Sequence, residues 1–305
     1  MFYYINFHVN SLNNQNLKKV LIPIAGLGTR MLPATKAIPK EMLPINGKPI
    51  IQYIVEEAVD AGFKEIIFIT HSSKTSVENH FDKSFELEAT LEKRVKRSLL
   101  REIKAISKLN LHVSSLRQGE AKGLGHAILC AKSIIGKEPF AVMLPDMIID
   151  DISNKNNLFL MKQNFMKNFT SSMLLGKAKR KNLKKYGIAR VIKTSSKSPI
   201  LVKEIIEKPS PKRAPSNLYA VGRYIFENNI INFLEKVKPD KFGEIQLTNA
   251  IDLYIKNNNP VFGFHLEGKV FDCGEPIGFL IANIEFAKKD KALSRELKDY
   301  LQKNK

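Results

Sequence analysis

The stretch Gly26-Leu27-Gly28-Thr29-Arg30-Met31-Leu32-Pro33-Ala34-Thr35-Lys36-Ala37-Ile38-Pro39-Lys40-Glu41-Met42-Leu43-Pro44 follows directly on a short apolar run, Val20-Leu21-Ile22-Pro23-Ile24-Ala25. A glycine-rich turn after a strand exposes backbone N–H groups, and its glycines let a phosphate approach closely. Arg30, Lys36 and Lys40 add cations to the same loop, and Pro33, Pro39 and Pro44 restrict its shape. The stretch reads as a rigid cationic cradle for a polyphosphate. Two commoner glycine loops are excluded by spacing. The string Gly-x-x-x-x-Gly-Lys-Ser/Thr is absent, and the third glycine of a dinucleotide fingerprint would fall at Met31.

Outward from the loop, apolar runs alternate with amphipathic stretches. Glu65–Thr70, Leu111–Leu116 and Phe140–Leu144 read as buried strands. Pro49–Ala61 reads as a helix, with proline near its first turn and Gly62 just past its end, and 125–135 as another. This β-α-β-α order predicts an α/β fold: a Rossmann-like, mostly parallel mixed sheet flanked by helices. Pro23 donates no ladder hydrogen bond, so it belongs near the C-terminal end of its strand. Phe85–Ser107 carries Leu91, Val95, Leu99 and Ile103 at helical spacing, which predicts one or two surface helices.

From Ser171 the pattern turns to strands: 171–175, 187–193, 200–206 and 218–226, with a hairpin turn over Thr194–Pro199. Helices over about 244–256 and 275–289 flank a strand near 261–265, and 292–302 reads as a terminal helix. The expected organisation is an N-terminal extension over 1–16, a single domain over 17–289 and a C-terminal helix over 290–305. Within the domain, 17–170 is one part and 171–289 a smaller β subdomain.

The 305 residues are 44% apolar, enough for one large α/β domain. No apolar run approaches eighteen residues, so no membrane span is expected. Residues 1–16 lack the basic-then-apolar order of a signal peptide. Cys130 and Cys273 are far apart and outside any C-x-x-C pair, which argues against zinc and against a disulfide framework. A cytoplasmic location fits. The net charge of +19, with Lys177, Lys179, Arg180, Lys181, Lys184 and Lys185 clustered, invites a nucleic-acid reading. Lysine is abundant throughout, however, and no helix-turn-helix, zinc-finger or RNP signature occurs. A positive surface also speeds the arrival of small anionic substrates.

Asp146 lies just after Phe140-Ala141-Val142-Met143-Leu144-Pro145, where α/β sheets bind ligands. Its hard oxygens suit Mg²⁺. Asp150 and Asp151 read as turn residues. His71, His80 and His126 have no metal-ligand spacing and read as hydrogen-bonded or surface histidines.

The loop resembles the signature of the sugar-phosphate nucleotidyltransferases, and within them the bacterial UTP–glucose-1-phosphate uridylyltransferases. Arg117-Gln118-Gly119, Gly123-Leu124-Gly125-His126-Ala127, Leu144-Pro145-Asp146, Glu207-Lys208-Pro209, Val221-Gly222-Arg223-Tyr224 and Asp272-Cys273-Gly274 extend the similarity from about residue 18 to the last helix. The resemblance implies transfer of uridylyl from UTP to glucose 1-phosphate, giving UDP-glucose and pyrophosphate with Mg²⁺. It implies Arg30, Lys40, Asp146 and Lys208 as catalytic groups and Asp146 with Asp272 as metal ligands. Ala25, Gly26, Gly28, Thr29, Glu41, Gln118 and Gly123 would line the nucleotide, and Gly187, Glu207, Lys208 and Gly222 the sugar phosphate. The resemblance also implies a homodimer or homotetramer, with 17–170 as the nucleotide-binding part and 171–289 as the sugar-binding part. Two departures occur. Asn249 stands where the pattern has aspartate, a change that would loosen a hydrogen bond near the sugar site. Glu275-Pro276 stands where it has Asn-Lys; neither departure is expected to touch the triphosphate loop. The alternatives are a thymidylyltransferase or other nucleotidyltransferase of the same fold, a regulatory nucleotide-sugar-binding subunit, and a basic nucleic-acid-binding protein.

Overall fold

The computed structural model describes residues 17–107, 109, 111–151, 156–192 and 199–303. The expected N-terminal extension over 1–16 and most of the hairpin turn, 194–198, lie outside the described residues. Strand β1 (Lys19–Pro23) leads into the glycine loop, which winds through single 3-10 turns to the ribbon of β2 (Pro44–Ile45) and β3 (Lys48–Pro49). Then come α1 (Ile50–Asp60), β4 (Glu65–Thr70), α2 (Thr75–Phe81), α3 (Phe85–Lys93), α4 (Arg97–Ser107) and β5 (His112–Arg117). Next are α5 (Gly123–Cys130), α6 (Lys132–Ile135), β6 (Phe140–Met143), β7 (Met147–Asp150), α7 (Asn157–Asn168) and β8 (Ser171–Lys177). They are followed by β9 (Ile188–Ile192), β10 (Ile200–Ile206), β11 (Leu218–Phe226), α8 (Ile230–Leu234) and α9 (Leu247–Lys256). Last are β12 (Val261–His265), β13 (Lys269–Asp272), α10 (Pro276–Ala287) and α11 (Lys291–Lys303).

Nine strands form one sheet in the order β5-β4-β1-β6-β11-β8-β12-β10-β9. The run β5-β4-β1-β6 is parallel, as crossovers through helices require. Beyond it the sheet is mixed, with β8 and β12 parallel and β11 antiparallel to both β6 and β8. Strand β11 joins the halves. Leu218 and Tyr219 pair with β9, whereas 223–226 pair with β6, and the change falls around Gly222, at φ +88°. Pro23 closes β1 opposite Ile69, at the strand end expected from its missing donor.

Helices cover both faces. Helix α1 forms because Ile50, Ile51, Ile54, Val55 and Ala58 recur on one side and are all buried. It stops at Gly62, whose φ of +79° a side chain would resist. Its core also takes Leu158, Met161 and Phe165 of α7, a helix not expected from the sequence. Ala127, Ile128, Leu234, Ala250 and Ile251 of α5, α8 and α9 pack on the other face. The single helix expected over 125–135 is two, broken at Ala131. The Phe85–Ser107 segment is also two helices, α3 and α4.

A second two-stranded ribbon stands apart from the main sheet. Strands β7 and β13 pair antiparallel with Asp272 opposite Met147. This brings Asp146 and Asp272 together across more than a hundred residues of sequence.

Candidate active site

The C-terminal ends of β1, β4 and β5 form one edge. Ile24 N–H donates to Ile69 O, and Gln118 N–H donates to Thr70 O, so the chain at Ala25 and at Gln118 leaves the sheet on the same side. That is the edge where open α/β sheets bind ligands. Gly26 is exposed there, and Gly28 sits at φ +68°. A Cβ on Gly28 would meet Thr35 and Lys40 at 3.3 Å, so the loop is packed onto itself. Thr35 Oγ1 fastens it by donating to Gly28 O at 2.8 Å. Thr29 and Arg30 begin the first 3-10 turn and are exposed, as is Lys36.

Lys40 turns inward. Its Nζ donates to Asp146 Oδ2 at 2.6 Å, with each side chain only 15% exposed. Burial alone would depress the ammonium, but Asp146 and Glu41 outweigh it and hold Lys40 above the usual lysine range. The pair works reciprocally. Burial opposes the Asp146 charge, yet Lys40 and Arg30 keep the carboxyl below the usual range. Asp272 has less compensation, so burial and the neighbouring Asp146 push it up. Gly274 marks where these groups converge. A Cβ there would lie 2.7 Å from Asp146 Oδ2, 3.0 Å from Arg30 Nη2 and 3.2 Å from Asp272 Oδ1. Two carboxylates and Arg30 thus face one small space that only glycine leaves open, and Lys40 joins them through Asp146. Cys273, next to it, is buried with its thiol pushed up to about 12, so it stays protonated.

Glu41 lies beneath the loop rather than on it. It is buried and accepts from Lys74 Nζ at 2.8 Å, itself buried. Gln118 is also buried; its Nε2 donates to Gly123 O at 3.2 Å. Gly123 has φ +88°, and Glu244 and Ile245 fill the side where a Cβ would point.

On the other flank, Glu207 Oε2 accepts from Thr248 Oγ1 at 2.9 Å, and Glu207 Oε1 lies 3.3 Å from Lys208 Nζ. Gly187 lets this cluster close, since a Cβ on it would strike Thr248 at 2.6 Å. Lys208 N–H donates to Tyr186 O, and Tyr186 OH donates to Asp272 Oδ2 at 3.2 Å. The structure therefore ties Glu207 and Lys208 to Asp272 through Tyr186. At Gly222 the space is filled by Leu144, 2.7 Å from an ideal Cβ, so this glycine admits a protein side chain. Asn249 is exposed on α9, one residue past Thr248.

Two residues were given no role at the site from the sequence. Arg223 is fully buried and grips Glu57 through Nε at 2.8 Å and Nη2 at 2.6 Å. It also donates to Leu144 O and Met147 O, the carbonyls on either side of Asp146. A lone arginine inside the apolar run of β11 was the available signal. Glu275 accepts from Arg30 Nη1 at 3.3 Å and from Lys185 Nζ at 2.5 Å. The departure from the family pattern at this position thus does touch the triphosphate loop, contrary to expectation, because the start of α10 packs against Arg30.

The comparisons agree with this architecture. The family model for nucleotidyl transferases matches residues 19–289. The chain belongs to the nucleotidyl transferase family. It is 48% identical over 288 residues to the UTP–glucose-1-phosphate uridylyltransferase of Haemophilus influenzae, covering 93% of this chain and 97% of that protein. The Escherichia coli K12 protein of the same name is 45% identical over 294 residues, 95% of this chain and 96% of its own. Among solved structures, UTP-bound UGPase from Acinetobacter baumannii superposes with a TM-score of 0.87 at 41% identity, covering 95% of this chain and all of that one. A UDP-glucose pyrophosphorylase complexed with UDP-glucose gives 0.82 at 38% identity, over 90% of this chain and all of that one. No helix among the described residues is long and apolar enough to cross a membrane.

Proposed function

We propose that this nucleotidyl transferase moves uridylyl from UTP to α-D-glucose 1-phosphate, releasing pyrophosphate and UDP-glucose. The convergence of Arg30, Asp146 and Asp272 on Gly274, with Lys40 seated on Asp146, carries the reading. Both substrates are anionic, so in-line attack on the α-phosphorus needs alignment and charge neutralisation above all. The attacking phosphate is already ionised at neutral pH, and no general base is required. Arg30 and Lys40 neutralise the triphosphate and the departing pyrophosphate, and the backbone N–H groups of Ala25 to Thr29 cradle it. Gln118 and Gly123 meet the uracil edge. Glu207 accepts from sugar hydroxyls, and Lys208 holds the sugar phosphate as a point charge. Residues 17–170 thus serve the nucleotide and 171–289 the sugar phosphate. Glu41, beneath the loop, steadies Lys40.

The donor set suits a hard divalent cation, for which Mg²⁺ is our assignment. Two carboxylates of like charge share one space, and burial together with its neighbour pushes Asp272 up. Asp146 and Asp272 would hold the ion, which would supply Lewis-acid stabilisation of phosphate oxygens. A cytoplasmic homodimer or homotetramer, acting without nucleic acid or membrane, completes the proposal.

The test is pyrophosphate release with Mg²⁺, glucose 1-phosphate and each of UTP, dTTP, ATP, CTP and GTP in turn. A strong UTP preference is expected; a dTTP preference would move the chain to the thymidylyltransferases. Asp146→Ala is expected to cost at least about 10³-fold in turnover while the fold survives. Full activity in that variant would sink the metal assignment.

A further inference from the structure

The Gln118 side chain is held by two acceptors. Its Nε2 lies 3.2 Å from Gly123 O and 2.9 Å from His126 Nδ1. A backbone carbonyl can only accept, so the amide nitrogen, not the oxygen, faces this way. The second N–H then goes to His126 Nδ1, which must be the bare ring nitrogen, with the imidazole proton on Nε2. Both amide hydrogens are spent inside the protein. The Oε1 atom has no hydrogen-bond partner among the described residues. Nor does it belong to the sealed side-chain atoms without a partner, which are Glu41 Oε1, Asn164 Oδ1 and Ser172 Oγ. It is therefore the end of Gln118 that reaches the cleft. His126 is itself steadied on α5, one turn before Cys130, whose Sγ packs 3.9 Å from both ring nitrogens.

An amide fixed in this sense offers an acceptor and no donor. Uracil presents a donor at N3–H on its pairing edge; cytosine presents a bare, acceptor N3 there. We propose that His126 is a positioning residue that sets nucleobase selectivity, by locking the Gln118 amide with its oxygen toward the base. This rests on the reading that Gln118 meets the uracil edge. Without His126 Nδ1 one of the two restraints is gone, and the amide can rotate to offer its NH₂ to a base that accepts. Gly123 O alone then opposes the rotation.

The experiment compares His126→Leu, which removes the acceptor, with His126→Asn, whose Oδ1 lies close to where Nδ1 was. Kinetics are measured with UTP and with CTP, at saturating glucose 1-phosphate and Mg²⁺. In His126→Leu the KM for UTP is expected to rise about tenfold, more than kcat falls, and the UTP:CTP ratio of kcat/KM to drop by about tenfold. His126→Asn is expected to recover most of both. A His126→Leu enzyme that keeps the parent's ratio and KM overturns the proposal, as does a loss of kcat alone with the ratio intact. If the leucine variant does not fold, His126→Ala makes the same test. Gln118→Ala separates the two readings. An unchanged KM for UTP in that variant removes the base contact itself. A raised KM there, beside an inert His126→Leu, removes only the role of His126.

Discussion

Lys40 and Lys208 are both assigned to phosphate groups, and the fold holds them in opposite ways. Lys40 is 15% exposed and fixed on Asp146 at 2.6 Å, with Glu41 and the packed glycine loop around it. Lys208 is 55% exposed and 3.3 Å from Glu207, on a turn residue at φ +42°. A cation already seated stabilises developing charge without reorganising. A solvated one must give up its rotamers and part of its water when it binds. Under the proposed assignment, the nucleotide flank is built for the transition state and the sugar flank for capture. Lys40→Gln is expected to lower kcat by about 10² to 10³-fold with a smaller change in KM for UTP. Pyrophosphate release, normalised to folded protein by circular dichroism, checks it. A pure KM effect would break the contrast.

The seated flank depends on Arg223, which holds the carbonyls beside Asp146 and is paired with Glu57. Removing one partner of a buried ion pair leaves the other charge uncompensated. Arg223→Met is therefore expected to lose roughly 3 kcal/mol or more of stability. Denaturant unfolding reads this as a lower midpoint. On the open flank the effect is smaller: Lys208→Ala is expected to raise KM for glucose 1-phosphate about tenfold, with KM for UTP little changed. Equal rises for both substrates would mean that Lys208 does not belong to the sugar side.

The same contrast explains what could be read from the chain. The seated flank is local. Val20 to Pro44 supplies a strand, its glycines and its cations in one run, and the parallel order around β1 follows from apolar runs separated by helices. What escaped is non-local. Strands β7 and β13 are four residues each, too short for a period, and their pairing depends on a contact across the chain. Arg223 looks like an interruption of β11 because its partner lies in α1. Glu275 is visible as a departure, yet only the structure joins it to Arg30 and Lys185. Helix α7 is different: Leu158, Met161 and Phe165 follow helical spacing, so the chain did carry its signal.

The ribbon also carries a carboxylate in the opposite situation to Asp146. Among the described residues, no cation is seated against Asp151, just past β7. Burial and the nearby Glu57 push its carboxyl up to about 6, against hydrogen bonds from Asn157 and the positive charge of Arg223. A raised carboxyl binds its proton more tightly in the folded than in the unfolded chain. Folding then takes up protons between the ordinary value of 3.8 and about 6, and stability falls as pH rises through that window. Above it the penalty is complete. Asp151 is half-buried, so screening reduces that penalty to about 1 kcal/mol. Asp151→Asn keeps an oxygen for Asn157 and drops the charge. It is expected to raise the melting temperature by about 2 °C at pH 8, and the gain should vanish toward pH 4. A gain that grew toward acid would reverse the sign. It would mean that Arg223 seats Asp151 as Lys40 seats Asp146, and the ribbon would then have no uncompensated end.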